Sequence, residues 1–279
     1  MNAYLARSAR RLRAAIPLSQ RDGLAFAGRA LALARAEFVL LATIFIVAGG
    51  LWAFIGLAGE VREGETESFD RAVLLALRDP ANLADPIGPA WFEEMVRDVT
   101  ALGGNFVLTF VAAAVVGFLL LTRKHGAALL VFASVAGGTL LGTLLKLGFE
   151  RMRPDLVPHG AVVHTASFPS NHAMLSAVTY LTLGALLARL EVAPRVKGYF
   201  LALSVILTAI VGLSRIYLGV HWPTDVLAGW AVGSAWAMTV WLVALWLQRR
   251  GKVERIGTGE VEGGGGDRDP LRSHETKFN

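Results

Sequence analysis

The sequence predicts an all-α integral membrane protein: a bundle of six transmembrane helices with an outer loop that carries short interfacial helices. Hydrophobic residues make up 54% of the 279 residues, and the mean hydropathy of +0.51 is too high for an ordinary soluble domain. Several apolar runs reach the length of about 20 residues that a helix needs to cross a bilayer. Arginine and lysine are concentrated in every second loop between these runs, as expected of a multi-pass protein.

Six apolar runs are predicted to be the transmembrane helices. They cover 38–58, 105–122, 126–147, 172–190, 198–217 and 224–247. The run at 105–122 is the shortest and needs flanking residues to complete a span. The six helices form one predicted membrane domain, 37–248. It lies between a predicted cytoplasmic N-terminal segment, 1–36, and a predicted cytoplasmic C-terminal tail, 249–279.

The distribution of charge predicts the orientation of the bundle. Seven arginines fall within the first 35 residues, and further basic residues follow the second, fourth and sixth runs. If the spans alternate, all of these segments lie on one side, and the loop 59–104, with ten acidic and four basic residues, lies on the other. Because an excess of lysine and arginine marks the cytoplasmic side, both termini are predicted to be cytoplasmic and the long loop to be outside.

This topology also accounts for the basic balance of the chain. The net charge of +5 and the pI of about 9.9 would suit a nucleic-acid-binding protein, but the basic residues lie where membrane topology requires them. No nucleic-acid partner is therefore predicted. The chain contains no cysteine, which excludes disulfides and thiolate metal sites.

The segments outside the spans carry weaker patterns. In residues 1–36 arginine alternates with alanine and leucine, which is typical either of an amphipathic helix on the inner membrane surface or of a solvated tail. The C-terminal tail contains a run of glycines at 263–266 and no apolar periodicity, so it is predicted to be disordered. In the outer loop, Phe69, Val73 and Leu77 recur at helical spacing and predict a short helix that either lines an entrance from the bilayer or covers the bundle.

Three polar clusters stand at the edges of the apolar runs. They are Lys146–Pro154, Pro169–His172 and Ser214–Asp225. The third span ends outside, the fourth begins there, and the fifth and sixth are joined there. The alternation of spans therefore brings all three clusters to the outer edge of the bilayer, although they are far apart in the sequence.

The cations and the helix start in these clusters suit a bound phosphate. Lys146, Arg153 and Arg215 are costly near hydrocarbon, so their presence favours a functional role over snorkelling to the interface. Together they neutralise a phosphoryl group, and arginine adds paired donors that match its oxygens. Either Ser170 or Asn171 is predicted to cap the fourth span, and both side chains offer donors to the anion beside the free N–H groups of the first turn.

Two histidines and one aspartate complete a catalytic set. His221 and Asp225 are four residues apart at the start of the sixth span, a spacing that places both on one helix face. A carboxylate beside an imidazole fixes its tautomer and stabilises its cation, which suits His221 as a nucleophile on phosphorus. His172 then serves as the general acid for the leaving oxygen.

No metal and no other cofactor are predicted. A two-metal phosphatase site needs several carboxylates or histidines as bridging ligands. Asp225 is the only acidic residue in a suitable place, since the positions of Glu150 and Asp155 are less favourable. The three cations would also repel a divalent ion.

At these residues the chain resembles the type-2 phosphatidic acid phosphatase superfamily. The pattern of that family is a lysine, six residues and Arg-Pro, then Pro-Ser-Gly-His, then Ser-Arg, five residues, histidine, three residues and aspartate. The segments Lys146–Pro154 and Ser214–Asp225 fit it, whereas Asn171 stands where glycine is usual. The motifs span 146–225, and the six-span layout extends the resemblance to about 38–248.

The resemblance implies a helical bundle and metal-independent hydrolysis of lipid phosphates through a phosphohistidine intermediate. It implies His221 as nucleophile, His172 as acid and Asp225 as the partner of His221, with a phosphate held by other residues of the motifs. Those residues are Lys146, Arg153, Ser170 and Arg215. Bacterial membrane members act on undecaprenyl pyrophosphate, phosphatidylglycerophosphate or phosphatidic acid, and some act on lipid A.

The predicted function is therefore a lipid phosphate phosphatase at the outer face of a bacterial inner membrane, with a lipid phosphate as its partner. Three alternatives use the same residues. Another lipid or a sugar, rather than water, would accept the phosphoryl group in a phosphotransferase. A vanadate-dependent haloperoxidase shares the motifs by resemblance, but such enzymes are soluble. A non-catalytic lipid carrier would need the cations but not two histidines with an aspartate partner. The sequence predicts no oligomeric state.

Overall fold

The computed structural model describes residues 18–155, 166–191 and 193–250, with side chains from Glu37 onward except at positions 39 and 249. Over these residues the chain forms helices and one two-stranded antiparallel sheet. The elements are α1 (Leu18–Glu63), α2 (Glu67–Ala76), β1 (Arg78–Asp79), β2 (Asn82–Pro86), α3 (Ala90–Ala101), α4 (Asn105–Leu121), α5 (His125–Leu147), α6 (Asn171–Leu190), α7 (Pro194–Tyr217) and α8 (Pro223–Arg249).

The predicted all-α membrane bundle is confirmed. Five described helices are long and apolar enough to cross a membrane by themselves: part of α1 (Leu40–Glu63), α5, α6, α7 and most of α8 (Pro223–Gln248). The predicted second span corresponds to α4, which is joined to α3 across a short break with a bend of 46°. Counting this bent pair as one span gives six.

A glycine at the break between α3 and α4 lets this pair approach α7 closely. A Cβ atom at Gly103 would lie 2.2 Å from Cγ1 of Val211 on α7. Only a residue without a side chain fits such a contact. The flanking helix needed by the short predicted span is therefore α3, which bends away at this point.

The helix α1 begins before the first predicted span. It runs unbroken from Leu18 to Glu63, so residues 18–36 continue the axis of the first span. The predicted division at residue 36 stays a prediction. Residues 1–17, which are the first part of the predicted amphipathic segment, and residues 251–279, which make up nearly all of the predicted disordered tail, lie outside the described residues.

The long loop between the first two spans contains two helices, α2 and α3, and the hairpin β1–β2. The predicted helix around Phe69 is α2. Its Leu74 is 1% exposed and packs with Ala173, Ile216 and Trp222, whereas Phe69 is exposed. Packing of α2 against the ends of the spans supports its predicted role as a cover. This side of the molecule is called the α2–α3 end below.

The core of the bundle lies between α5, α6 and α8. Ser134 of α5 and Thr182 of α6 share a hydrogen bond of 2.7 Å between their hydroxyl oxygens, and both side chains are buried. The indole Nε1 of Trp236 on α8 donates to the Ser134 carbonyl oxygen at 2.9 Å. Such interhelical hydrogen bonds link helices in an apolar medium where the hydrophobic effect does not.

Two glycines of α8 bring its backbone against α6. A Cβ atom at Gly229 would lie 2.7 Å from the carbonyl oxygen of Ser170, and one at Gly233 would lie 2.5 Å from that of Met174. Small residues four apart allow this close approach of membrane helices. Near the same contact, the Ser170 N–H donates to the Asp225 carbonyl oxygen at 3.0 Å. The starts of α6 and α8 are therefore held side by side at the α2–α3 end.

Replacing Gly233 with alanine should destabilise the protein. The new methyl group would meet a backbone oxygen of α6, so one of the two helices must shift. Overpacking of this kind costs about 1–3 kcal/mol. Thermal unfolding in detergent should show a lower midpoint than that of Gly56→Ala, whose Cβ atom has no neighbour within 4 Å. Equal midpoints for the two variants would contradict the proposed backbone contact.

Candidate active site

The three polar clusters meet around one cavity at the α2–α3 end of the bundle. Its volume is about 610 Å³. It is lined by Asn105, Thr143, Lys146, Leu147, Arg153, Ala166, Asn171, His172, Arg215 and His221. Six of the eight predicted site residues are in this lining. The other two, Ser170 and Asp225, are fully buried beside it.

Each cluster reaches the cavity from the end of a different helix. Lys146 is in the last turn of α5, and Arg215 is in the last turn of α7. His172 is in the first turn of α6, and His221 lies in the turn immediately before α8. The two imidazoles therefore face one cavity from neighbouring helix starts.

The cations around the cavity are held by oxygen atoms of the surrounding backbone and side chains. Lys146 Nζ donates to the Ala166 carbonyl oxygen at 3.0 Å, and Arg215 Nη1 donates to Thr100 Oγ1 at 3.0 Å. Both acceptors are neutral, so these contacts orient the cations without cancelling their charge. The Nε atom of Arg215 is buried and has no hydrogen-bond partner. The site is thus strongly electropositive.

Arg153 lies directly against His221. Its Nη1 donates to the Val220 carbonyl oxygen at 2.9 Å and lies 3.3 Å from His221 Nε2. Burial lowers the pKa of the Arg153 guanidinium, and the nearby Asp225 carboxylate opposes this shift. Arginine remains charged despite such shifts, so Arg153 brings a positive charge next to Nε2.

The start of α6 differs from the prediction in one respect. Ser170 occupies the N-cap position, but its side chain makes no capping hydrogen bond, and Asn171 is already the first helical residue. The predicted side-chain cap is therefore wrong. Contacts with α8 hold this helix start instead, through the Ser170 N–H and the glycine contact described above. The hydroxyl of Ser170 is buried without a hydrogen-bond partner.

Asn171, which departs from the family pattern, also lines the cavity. Its Oδ1 atom is buried and unpartnered, and it would lie 3.0 Å from a Cβ atom at Gly142 of α5. The glycine therefore makes room for the larger side chain. An amide at this position adds hydrogen-bonding capacity to the wall of the cavity.

Asp225 is the centre of a buried hydrogen-bond network behind His221. Its Oδ2 accepts the Trp222 N–H at 2.9 Å and the Ser167 hydroxyl, and it lies 3.4 Å from His221 Nδ1. Its Oδ1 accepts Arg151 Nη1 at 2.6 Å. The predicted pairing of His221 with Asp225 is present in this geometry, with Nδ1 toward the carboxylate and Nε2 toward the cavity.

The surroundings of His221 favour a neutral imidazole. Burial lowers the pKa of His221 to about 4, although the hydrogen bond and charge of Asp225 act to raise it and Arg153 lowers it further. Only 1% of the residue is exposed. A neutral imidazole whose Nδ1 carries the proton has an electron pair on Nε2, which can accept a hydrogen bond from Arg153 or attack phosphorus.

Sequence reasoning did not find four residues of this network. They are Asp70, Arg151, Ser167 and Thr224. Arg151 lies inside the first cluster but was not distinguished from its neighbours. Asp70 did carry a signal, because it shares the apolar face of α2 with Leu74 and Leu77 at helical spacing. Ser167 and Thr224 have no comparable signal in the sequence.

Across residues 18–155, 166–191 and 193–250, no group of three or more histidine, cysteine, aspartate or glutamate side chains is arranged to hold a metal ion. The carboxylate of Asp225 is already occupied by Arg151, Ser167 and the Trp222 N–H. That the site needs no metal ion stays a prediction.

Comparison with known proteins finds a matching family and several similar sequences. The PAP2 superfamily matches residues 127–249. The chain is 31% identical over 183 residues to phosphatidylglycerophosphatase B of Bacillus subtilis, covering 64% of this chain and 85% of that protein. It is 33% identical over 118 residues to undecaprenyl-diphosphatase of Sulfolobus acidocaldarius, covering 40% of this chain and 52% of that protein.

A solved structure agrees with these sequence relatives. It is the crystal structure of a transmembrane PAP2 type phosphatidylglycerolphosphate phosphatase from Bacillus subtilis. The TM-score is 0.64 at 27% identity, covering 74% of this chain and 98% of that chain.

Proposed function

The chain belongs to the PAP2 superfamily of membrane lipid phosphatases, and from that premise we propose that it hydrolyses lipid phosphates without a metal, through a phosphohistidine on His221. Hydrolysis of phosphate esters is the activity of the family. The geometry of His221 supports a phosphohistidine at this residue, because Nε2 faces a cationic cavity and Nδ1 faces a buried carboxylate.

The cavity is suited to a phosphoryl group. Lys146, Arg153 and Arg215 surround it with positive charge, and arginine donors match phosphate oxygens in pairs. Ser170 Oγ and Arg215 Nε are buried polar atoms without partners, and both can donate to an anion. Buried polar groups are normally paired, so unpaired donors beside a cavity favour a ligand that completes them.

The reaction follows from the placement of the two histidines. His221 Nε2 attacks the terminal phosphorus while the bond from that phosphorus to the leaving oxygen breaks, and His172 gives that oxygen a proton. The leaving group is the alcohol of a phosphomonoester or the lipid monophosphate of a pyrophosphate. The Asp225 carboxylate accepts a hydrogen bond from Nδ1–H and stabilises the positive charge that forms on the ring. Water then attacks the phosphohistidine, His172 takes a proton from it, and inorganic phosphate leaves as His221 is restored. The cations stabilise the charge on the oxygens throughout.

The substrate is a phosphomonoester or pyrophosphate lipid of the undecaprenyl pyrophosphate, phosphatidylglycerophosphate or phosphatidic acid class. The lining of the cavity includes Leu147, which is 78% exposed at the end of a predicted span. An exposed apolar side chain beside the cavity suits a lipid whose chain stays in the bilayer while its phosphate enters the cavity. The site faces the outside of the inner membrane, with both termini in the cytoplasm, as the charge distribution predicts.

Phosphate release from a panel of purified lipid phosphates in detergent tests this function. The panel contains undecaprenyl pyrophosphate, phosphatidylglycerophosphate, phosphatidic acid and lipid A. We expect turnover of at least one of them with a chelator present, and none by His221→Ala. Absence of release from all members, or loss of activity on chelation that added metal restores, would overturn the proposal.

The pH dependence should reflect the environment of His221. Attack requires the neutral ring, and burial lowers its pKa from 6.5 to about 4. The neutral form therefore persists at acidic pH, and kcat/KM should fall on the acid side only as pH approaches 4. A series of initial rates from pH 4 to 8, corrected for the measured pKa of the substrate phosphate, checks this. An acid limb near 6.5 would contradict it.

A further inference from the structure

Asp70 is a buried carboxylate on α2 that the reaction described above does not use. Its side chain is fully buried. Oδ1 accepts the Thr224 N–H at 3.0 Å, and Oδ2 accepts the Thr224 hydroxyl at 2.6 Å. Thr224 is the second residue of α8, so Asp70 caps this helix from a different part of the chain. A loop helix is thus tied to the element that carries Asp225.

Arg151 connects Asp70 to Asp225 through both arms of its guanidinium group. Nη2 donates to Asp70 Oδ2 at 2.6 Å, and Nη1 donates to Asp225 Oδ1 at 2.6 Å. The same group also contacts the hydroxyl oxygens of Thr224 at 2.8 Å and Thr66 at 3.2 Å. The planar fork of arginine is suited to bridging two carboxylates in a fixed geometry, which the single ammonium group of lysine cannot do equally well.

The charges in this group matter for His221. With Arg151 alone, the charge of the Asp225 carboxylate would be cancelled at contact distance. Asp70 adds a second negative charge, so Asp70, Arg151 and Asp225 together carry a net charge of −1 toward the imidazole. Positive charge develops on that ring when it is phosphorylated. Because the group is buried, electrostatic interactions within it are stronger than in water.

We infer that Asp70 is a positioning residue of the active site, which acts through Arg151 to hold the Asp225 carboxylate against His221 and to keep the buried group negative. This inference rests on the proposed function, since it needs Asp225 to serve His221. It assigns α2 a role in the reaction as well as in covering the bundle.

Asp70→Asn in the full chain tests the inference, because it removes the charge and keeps an oxygen for the Thr224 N–H. For the lipid of the panel that the wild type hydrolyses fastest, we expect kcat to fall about tenfold or more, as loss of a buried unit charge near the ring predicts. KM should stay within about twofold, since the phosphate cavity is unchanged. Asp98→Asn, on the exposed surface of α3, is the matched control and should leave both constants unchanged.

A double-mutant comparison separates positioning from simple helix docking. If Asp70 acts through Arg151, Asp70→Asn should cause little further loss of kcat in an Arg151→Gln background. Independent, multiplying losses, or an unchanged kcat in Asp70→Asn, would overturn the inference. If Asp70→Asn does not fold, Arg151→Lys decides: we expect a similar loss of kcat, and wild-type kcat would overturn the inference.

The same preparations distinguish this inference from the function on which it rests. Wild-type protein that releases no phosphate from any lipid of the panel, or active His221→Ala, means that the proposed function has failed. Active wild type and inactive His221→Ala, together with wild-type kinetics in Asp70→Asn, mean that only the inference has failed.

Discussion

Replacing His221 with alanine is expected to lower lipid phosphate hydrolysis by at least roughly 10⁴-fold, which is the scale of loss when a catalytic nucleophile is removed. The ring presents Nε2 to the cavity beside Arg153, and the cavity lining offers His172 as the other imidazole. His172 serves as the proton donor in the proposed reaction and is held by a different helix. Phosphate release from the purified variant in detergent measures the effect.

The covalent step can be tested separately from turnover. Wild-type protein mixed with a substrate labelled at its phosphate and quenched in alkali, in which phosphohistidine survives, should carry label. His221→Ala should carry none. His125→Ala is the matched control, because His125 is exposed at the opposite end of α5 from Lys146. Label on His221→Ala, or turnover within a few fold of wild type, would exclude His221 as the nucleophile.

Most residues that line the cavity could be predicted from the sequence because they are tied to helix ends. Lys146, His172 and Arg215 each stand at the last or first turn of an apolar run, and His221 stands just before one. The position of such residues in depth follows from the alternation of the spans, without knowledge of how the helices pack. Their spacing within each motif then gives the chemistry, since an imidazole four residues before a carboxylate can pair with it.

The network behind the cavity was beyond prediction because its bonds join distant parts of the chain. Asp70 and Arg151 are 81 positions apart, and Asp70 and Thr224 are 154 positions apart. Helical periodicity places Asp70 on the apolar face of α2 but does not identify the groups that satisfy it. The missing cap at Ser170 has a similar origin, since contacts with α8 replaced the local side-chain bond that the sequence favours.

The break between α3 and α4 shows a second limit of periodicity. The apolar run at 105–122 predicts a span, but the bend and the helix before it depend on the contact of Gly103 with Val211. A glycine alone predicts no direction for a bend. The space that it opens is determined by the neighbouring helix α7.

Replacing Asp225 with asparagine should slow hydrolysis by roughly 10³–10⁴-fold while leaving phosphate binding largely intact. Both carboxylate oxygens accept hydrogen bonds: Oδ1 accepts from Arg151, and Oδ2 accepts the Trp222 N–H. In either orientation of the amide, its NH₂ group therefore faces another donor. The variant loses the negative charge that stabilises the phosphorylated ring and also misplaces the ring, which is the combination that makes such changes costly. Steady-state kinetics on the lipid of the panel that the wild type hydrolyses fastest measure the loss.

Measurements of lipid binding and of stability are expected to show that the loss in Asp225→Asn arises at the chemical step. The affinity for a non-hydrolysable phosphonate lipid should change less than about threefold, because Lys146, Arg153 and Arg215 remain in place. Stability should fall by about 1–3 kcal/mol, the cost of leaving one buried donor unpaired, and no more, because Arg151 keeps its bond to Asp70. A weakened affinity that accounts for the whole loss of kcat/KM would instead make Asp225 a structural support of the phosphate site.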